Sequence, residues 1–280
     1  MRVPSTDGVE LELHDLGGDG PDLLVAHATG TCAGPYRPLA ARLAEDHHVW
    51  ALDFRAHGDS TRPADADLDW DAMASDVLAV TDAIGPGPLL AFGHSMGGAC
   101  LAAAELRRPA TLRRAVLFEP IIVPPDFGRG PGQNPLAESA RRRRARFPSR
   151  LEALGRYAGR PPLGLWRADA LWGYVEHGFV ESPDGSVGLK CRPEDEAAVF
   201  EADGKPPVAA MADVAAPVLV MCGARDPSPG PADFAPAVAD AFPRGTLRRY
   251  DHVGHFGPFQ DPDTIADDTA AFLAMSSGRG

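Results

Sequence analysis

The sequence predicts an α/β domain with a mainly parallel central sheet flanked by helices and interrupted by a mostly helical insert. Three observations predict it. Short apolar runs of strand length alternate with amphipathic stretches of helical period, the pattern that builds a parallel sheet covered on both faces. Gly93-His94-Ser95-Met96-Gly97-Gly98 stands between one such run and an alanine-rich stretch. From about Val123 to residue 207 the buried β-runs stop, and prolines, glycines, arginines and aromatic-bearing helical segments take their place.

Val9-Glu10-Leu11-Glu12-Leu13-His14 alternates apolar and polar residues and predicts a half-buried edge strand ended by the turn 17–21. Leu23-Leu24-Val25-Ala26 predicts a buried strand that runs into the small-residue loop His27-Ala28-Thr29-Gly30-Thr31-Cys32. Tyr36, Leu39, Ala40 and Leu43 fall on one face of a helix, Val49-Trp50-Ala51-Leu52 is the next strand, and residues 53–60 form a polar turn. Met73, Val77, Val80 and Ile84 recur at helical spacing before Gly85-Pro86-Gly87-Pro88 breaks the helix. Strands follow at 88–92 and 115–118. After the insert, in which Pro193 followed by Glu194, Asp195 and Glu196 marks a helix start, come a strand at 217–222, a helix with Phe234 and Val238, a strand around 247–250 and a C-terminal helix with Ile265, Thr269 and Phe272.

The stretch around Ser95 carries the chemistry. The run 88–92 reads as a buried strand and 99–108 as a helix. Glycines two residues before and after the serine allow a turn in which any Cβ would meet neighbouring backbone. Ser95 is then pushed to the tip at the carboxyl edge of the sheet, and the Met96 N–H, at a helix N-terminus, faces the position where an oxyanion forms. A serine hydroxyl is a weak nucleophile at neutral pH, so it needs a base within hydrogen-bond reach and a carboxylate to orient that base. The ends of parallel strands converge on one edge, which directs the search to the loops after later strands. Asp226 follows one and His255 the last, in the chain order expected for this kind of elbow.

In these stretches the chain resembles an α/β-hydrolase: the elbow 93–98, the turn 53–60, Gly223-Ala224-Arg225-Asp226, and Gly254-His255 leading to Asp261-Pro262. The resemblance covers nearly the whole length outside the insert. It implies core residues 1–122 and 208–280, with 123–207 as a helical cap over the active site. It further implies a serine hydrolase acting on a carboxylic ester or lactone through an acyl-enzyme, with Ser95, His255 and Asp226 catalytic, Met96 and Thr29 N–H groups as oxyanion donors, and no cofactor. The same residues suit cleavage of a carbon–carbon bond in a diketone or of a thioester, and proteins of this fold also serve as ligand receptors.

Some assignments stay open at this level. Glu119 follows the strand after the elbow helix, another place where related folds put the acid; otherwise it belongs to the pocket wall. Thr31 is the alternative second oxyanion donor, because the family's usual His-Gly is His27-Ala28 here. The family's glycine in the turn 53–60 is Ala56 here, a structural difference. His94, next to the nucleophile, points away from it and reads as a core or supporting histidine.

Composition narrows the function class. A net charge of −12 with a pI near 5.1 argues against nucleic acid or an anionic membrane as partner and for a small-molecule substrate. The first residues lack the apolar segment of a secretory leader, and the four scattered cysteines, with no C-x-x-C pair, suit a reducing compartment; a soluble cytoplasmic protein is expected. No cluster of metal-ligand spacing is present, so no metal is expected. Arg141 to Arg146 reads as a solvated helix face or, alternatively, as a rim attracting acidic substrates. Trp166, Trp172, Tyr174 and Phe179 read as the insert's own core or an apolar pocket.

Overall fold

The computed structural model describes residues 1–64, 67–122, 134–224 and 230–275. In chain order the first half holds β1 (Arg2–Pro4), β2 (Glu10–Asp15), β3 (Asp22–Ala26), α1 (Arg37–Leu43), β4 (His48–Asp53), α2 (Trp70–Ile84), β5 (Leu89–His94), α3 (Met96–Arg107) and β6 (Leu112–Phe118). The insert contains α4 (Pro135–Arg141), β7 (Arg146–Phe147), α5 (Arg150–Ala158), α6 (Ala168–His177), β8 (Phe179–Glu181), β9 (Val187–Leu189) and α7 (Pro193–Glu201). The chain closes with β10 (Val218–Cys222), α8 (Pro231–Ala241), β11 (Gly245–Arg249), α9 (Gly257–Gln260) and α10 (Pro262–Ala274).

Among the described residues, eight strands form one sheet in the order β1-β2-β4-β3-β5-β6-β10-β11. From β4 to β11 the neighbours are parallel, whereas β2 runs antiparallel to both β1 and β4. The period of two along a strand sends alternate side chains to opposite faces. Leu24 and Ala26 thus pack with Leu52, Met73, Val77 and Leu101 on one face, while Leu23 and Val25 join Val49, Phe92, Leu39 and Ile265 on the other. β5 is buried at every position, as a central strand covered on both sides must be. Its carboxyl end, with those of β3, β6 and β10, defines the edge where the site is found.

Two local readings are corrected. The segment expected to be an edge strand is β2, an inner strand, because the three residues of β1 pair with it (Arg2 opposite Glu12) and take the edge. So short a strand, ending in a proline, carries no alternation to read. Phe179, one of the aromatic residues expected on the insert's helical segments, instead opens β8, since α6 stops at His177 before Gly178. The insert accordingly combines helices with a small antiparallel sheet, β7-β9-β8.

The arginine run is not one helix face. α4 starts at Asn134, whose side chain accepts from the Leu136 and Ala137 N–H groups, and it ends at Arg141, so the following arginines diverge. Arg141 pairs with Glu201, Arg142 reaches toward Glu138, Arg144 lies over the Phe147 ring and Arg143 turns inward. α7 packs on α4 through Ala137, Ala140 and Ala197. α6 lies close against the loop after β3: a Cβ on Gly173 would sit 2.5 Å from the Gly34 carbonyl oxygen, so two small residues permit the contact.

The turn 53–60 is tied to the first residues of the chain by a buried ion pair. Arg55 and Asp76 are both fully buried, with Arg55 Nε and Nη2 each 2.9 Å from an Asp76 oxygen, and Ser5 Oγ donates to the same carboxylate at 2.6 Å. Ala56, where the family has glycine, adopts the left-handed conformation at φ 60°, a conformation that disfavours any Cβ. Neutralising one partner of a buried pair leaves the other charge uncompensated, so Asp76→Asn should lower the unfolding free energy by about 3 kcal/mol. Urea denaturation measures this; a loss below about 0.5 kcal/mol would show the pair to be energetically idle.

Candidate active site

Ser95 sits between β5 and α3 with φ 55° and ψ −116°, outside the regions an L-residue ordinarily occupies. The flanking glycines make the turn possible. A Cβ on Gly93 would lie 2.6 Å from Gly98 Cα, and one on Gly97 would run into the Ala26 carbonyl. The surrounding backbone then holds the conformation: Ser95 N–H donates to Phe118 O at 2.9 Å, and Ser95 O accepts from Ile121 N–H at 3.2 Å. Met96 is the first residue of α3, where N–H groups have no intrahelical acceptor. Among the described residues, no protein group accepts from the N–H of Met96 or of Thr29.

His255 follows β11 and precedes α9. Its Nδ1 lies 2.6 Å from Glu119 Oε2, and the second carboxylate oxygen, Oε1, accepts the Gly223 N–H at 2.8 Å. Glu119 is 1% exposed. A carboxylate facing Nδ1 places the imidazole proton there and leaves Nε2 as the basic nitrogen. The chain connects this pair to the elbow, because Ser95 is bonded to Phe118 and Glu119 is the next residue. Glu119 itself has φ 43°, and its N–H extends the sheet by donating to Met221 O at 2.8 Å. No hydrogen bond joins Ser95 Oγ to His255 among the described residues; such contacts tighten on substrate binding. Asp226 lies outside the described residues. The loop that carries it begins beside His255, since Ala224 N–H donates to Val253 O at 2.8 Å.

His94 points away from the substrate edge and is fully buried. Its Nε2 lies 2.8 Å from the His255 carbonyl oxygen, and its Nδ1 lies 2.8 Å from Tyr36 Oη. A carbonyl only accepts, so the proton is on Nε2, Tyr36 donates to Nδ1, and Tyr36 Oη in turn accepts the Ala28 N–H at 3.0 Å. One neutral histidine thereby links the loop of the base to the loop after β3. Two more support that loop. His27 donates through Nδ1 to Ala28 O at 2.8 Å and accepts the Phe54 N–H at 3.0 Å, while His57 donates to Arg55 O at 2.9 Å and accepts the Gly30 N–H at 3.1 Å. Burial drives all three imidazoles toward the neutral form; His27, further depressed by His57 and only partly restored by Asp53, falls to about 3.

The loop geometry bears on the two candidate oxyanion donors. Thr31 N–H donates to Ala28 O at 3.2 Å and the Thr31 hydroxyl donates to the same oxygen at 2.7 Å. Ala28 O therefore receives donors from His27 and twice from Thr31. The peptide plane it shares with the Thr29 N–H is fixed, and in a trans peptide that N–H points the opposite way. Sequence reasoning put Tyr36 on a helix face and assigned nothing to His57. The polar tip of a buried tyrosine is the signal that points to such a partner.

One trio of metal-ligand type occurs among the described residues: His14, Asp53 and Asp59, with donor atoms within 4.8 Å of one another. It is occupied by protein contacts. His14 Nε2 bonds Asp53 Oδ2 at 2.9 Å, Ala33 N–H bonds Asp53 Oδ1 at 2.7 Å, and the Lys190 ammonium sits 2.6 Å from Asp59 Oδ1, where it opposes a second cation. Cys32, Cys100, Cys191 and Cys222 are all buried.

Residues 23–268 match the profile of the Alpha/beta hydrolase family. The chain belongs to that family. This alpha/beta hydrolase is an enzyme of the family's type, and it is similar over 97% of its length to a non-heme chloroperoxidase from Streptomyces lividans, at 28% identity over 98% of the relative. Among solved structures it is similar to an E-2-(acetamidomethylene)succinate hydrolase (TM-score 0.78, 21% identity, 98% of this chain and 99% of the other). It is likewise similar to an esterase from Rhodococcus sp. ECU1013 (TM-score 0.76, 22% identity, 98% of each). Among the described residues, no helix of the hydrolase is long and apolar enough to cross a membrane.

The buried histidines set an acid limit on the fold. The native pKa of His27 lies near 3, below the unfolded value of about 6.5, so the unfolded chain binds the proton first as pH falls. Its contribution is complete above about pH 6.5 and is lost toward about pH 3. The unfolding free energy should drop by about 2 kcal/mol for His27 alone between pH 7.5 and 5, a window in which carboxylates change little. Equilibrium urea unfolding at the two pH values measures it, and equal stabilities would show that the imidazoles are not held neutral.

Proposed function

We propose that this alpha/beta hydrolase cleaves a carboxylic ester or lactone through an acyl-enzyme on Ser95. The observation that carries the reading is the 2.6 Å bond between His255 Nδ1 and the buried Glu119 carboxylate, on a loop whose neighbouring residue is bonded to the nucleophile elbow. Ser95 Oγ attacks the substrate carbonyl while His255 Nε2 accepts its proton. The Met96 and Thr29 N–H groups stabilise the oxyanion, and their freedom from protein acceptors suits that role. The imidazolium returns the proton to the leaving alcohol, and water then releases the acid by the same steps. The insert, residues 123–207, acts as the cap over this site, and the substrate is a small molecule; no cofactor takes part. Four scattered cysteines with no C-x-x-C pair fit a cytoplasmic protein.

Glu119 is the acid in this reading, in place of Asp226, which the resemblance favours. Glu119 is already bonded to the base, and its other oxygen is held by Gly223 N–H. With p-nitrophenyl acetate as substrate, Glu119→Gln should lower kcat on the order of 10³–10⁴-fold, while Asp226→Asn should change it far less. The reverse ranking would return the role to Asp226. Ser95→Ala should abolish turnover and block labelling by a fluorophosphonate; label on any other residue, or activity surviving in this variant, would remove the serine mechanism.

A further inference from the structure

The insert reaches the loop after β3 through a chain of donors. Arg143, just past α4, donates through Nη2 to Tyr174 Oη on α6, and Tyr174 Oη lies 3.3 Å from Gly30 O. The arginine donates, so the phenol's own proton is directed to the carbonyl. Arg143 is held in place by Glu196 of α7, bonded to Nη1. The Glu196 carboxylate also lies against Gly30, in the space a Cβ would occupy, and Gly30 is left-handed at φ 72°. On the opposite side of the same residue, His57 Nε2 accepts the Gly30 N–H at 3.1 Å. The core thus holds the N–H of Gly30 and the insert holds its carbonyl.

We infer that Tyr174, oriented by Arg143 and Glu196, is a positioning residue for the oxyanion hole: the insert sets the turn at Gly30 and thereby aims the preceding Thr29 N–H. Three features support the assignment. The Gly30–Thr31 peptide, whose oxygen accepts from Tyr174, carries the Thr31 N–H that donates to Ala28 O, so holding Gly30 O supports one of the three hydrogen bonds that orient the Ala28–Thr29 peptide and with it the Thr29 N–H. Glycine is the residue with the widest choice of φ and ψ, so external bonds must select its conformation. A guanidinium donating to the phenol polarises its O–H and strengthens the bond it makes to Gly30. The partly buried charge of Arg143 is satisfied by Glu196, so this inward-turning member of the basic run has a structural partner and is not a free anion site.

The inference rests on the serine-hydrolase reading and makes a distinct demand. Tyr174→Phe keeps the ring among Trp166, Phe179 and Tyr157, whose centroids lie 5.8, 5.9 and 5.9 Å away, and removes only the hydroxyl. With p-nitrophenyl acetate, kcat should fall roughly ten- to hundredfold, less than loss of an oxyanion donor itself, with KM within about twofold. Trifluoroacetophenone, whose adduct with Ser95 places an oxyanion in the hole, should weaken by the same factor as kcat. Acetophenone, which forms no such adduct, should bind as before. Arg143→Lys, which keeps the charge opposite Glu196, provides a second variant with the same expected pattern in case the first does not fold, and Tyr157→Phe should match the parent. A rise in KM at unchanged kcat, equal weakening of both ketones, or no effect in either variant would overturn the inference. Failure of fluorophosphonate to label Ser95 in the parent protein would instead overturn the serine mechanism on which it stands.

Discussion

The site depends on one steric constraint, the approach of α3 to β5 at Gly93 and to the end of β3 at Gly97. Without a Cβ at Gly93 or Gly97, the chain reverses in a space that admits no other residue, and Ser95 is left at the tip with φ 55°. That conformation is unfavourable for serine on its own. Hydrogen bonds from Ser95 N–H to Phe118 and from Ile121 N–H to Ser95 O hold it there. The same bonds bring the end of β6 beside Ser95, so the residue after Phe118, Glu119, arrives at His255 as a consequence of supporting the elbow.

Neutral histidines are the second structural theme. His27, His57 and His94 are fully buried, and each both donates and accepts one hydrogen bond, a combination that neutral imidazole provides and imidazolium does not. His94 spans the Tyr36 hydroxyl and the His255 carbonyl; His27 and His57 support consecutive parts of the loop after β3. Rigidity in this loop therefore comes from side chains of the core below and the insert above, with little contribution from its own backbone ladder. A preorganised donor of this kind needs no rearrangement when charge develops on the substrate.

The insert meets the loop after β3 through one polar cluster. An alanine seam joins α4 to α7; Arg143 lies just past the end of α4, α7 carries Glu196, and α6 carries Tyr174 into the same cluster. Backbone contact at Gly34 and Gly173 places α6 against the loop directly. Arg141, Arg142 and Arg144 face outward and pair with Glu201 and Glu138 or lie over Phe147, and Arg146 donates to Ser182 Oγ. Surface pairs of this sort are worth little individually, which sets the partly buried Arg143 apart from the rest of the run.

The strands, the elbow and the place of His255 after the last strand were legible in the sequence because each is a local signal. Apolar runs of strand length, glycines flanking Ser95, and Gly254-His255 after the last strand depend on residues within a few positions of one another. The left-handed turn at Ala56 lies in a stretch recognisable from its neighbours alone. Tertiary structure decided what depends on distant partners. Glu119 and Asp226 both follow strands that end at the same edge, and sequence cannot tell which carboxylate meets the His255 imidazole; the Glu119 contact with His255, 136 positions apart, is visible only once the strand ends are assembled. The inward turn of Arg143 depends on where α4 ends and where Glu196 of α7 lies. Local order follows from local spacing, whereas a hydrogen bond between remote side chains is determined by the packing of the elements that carry them.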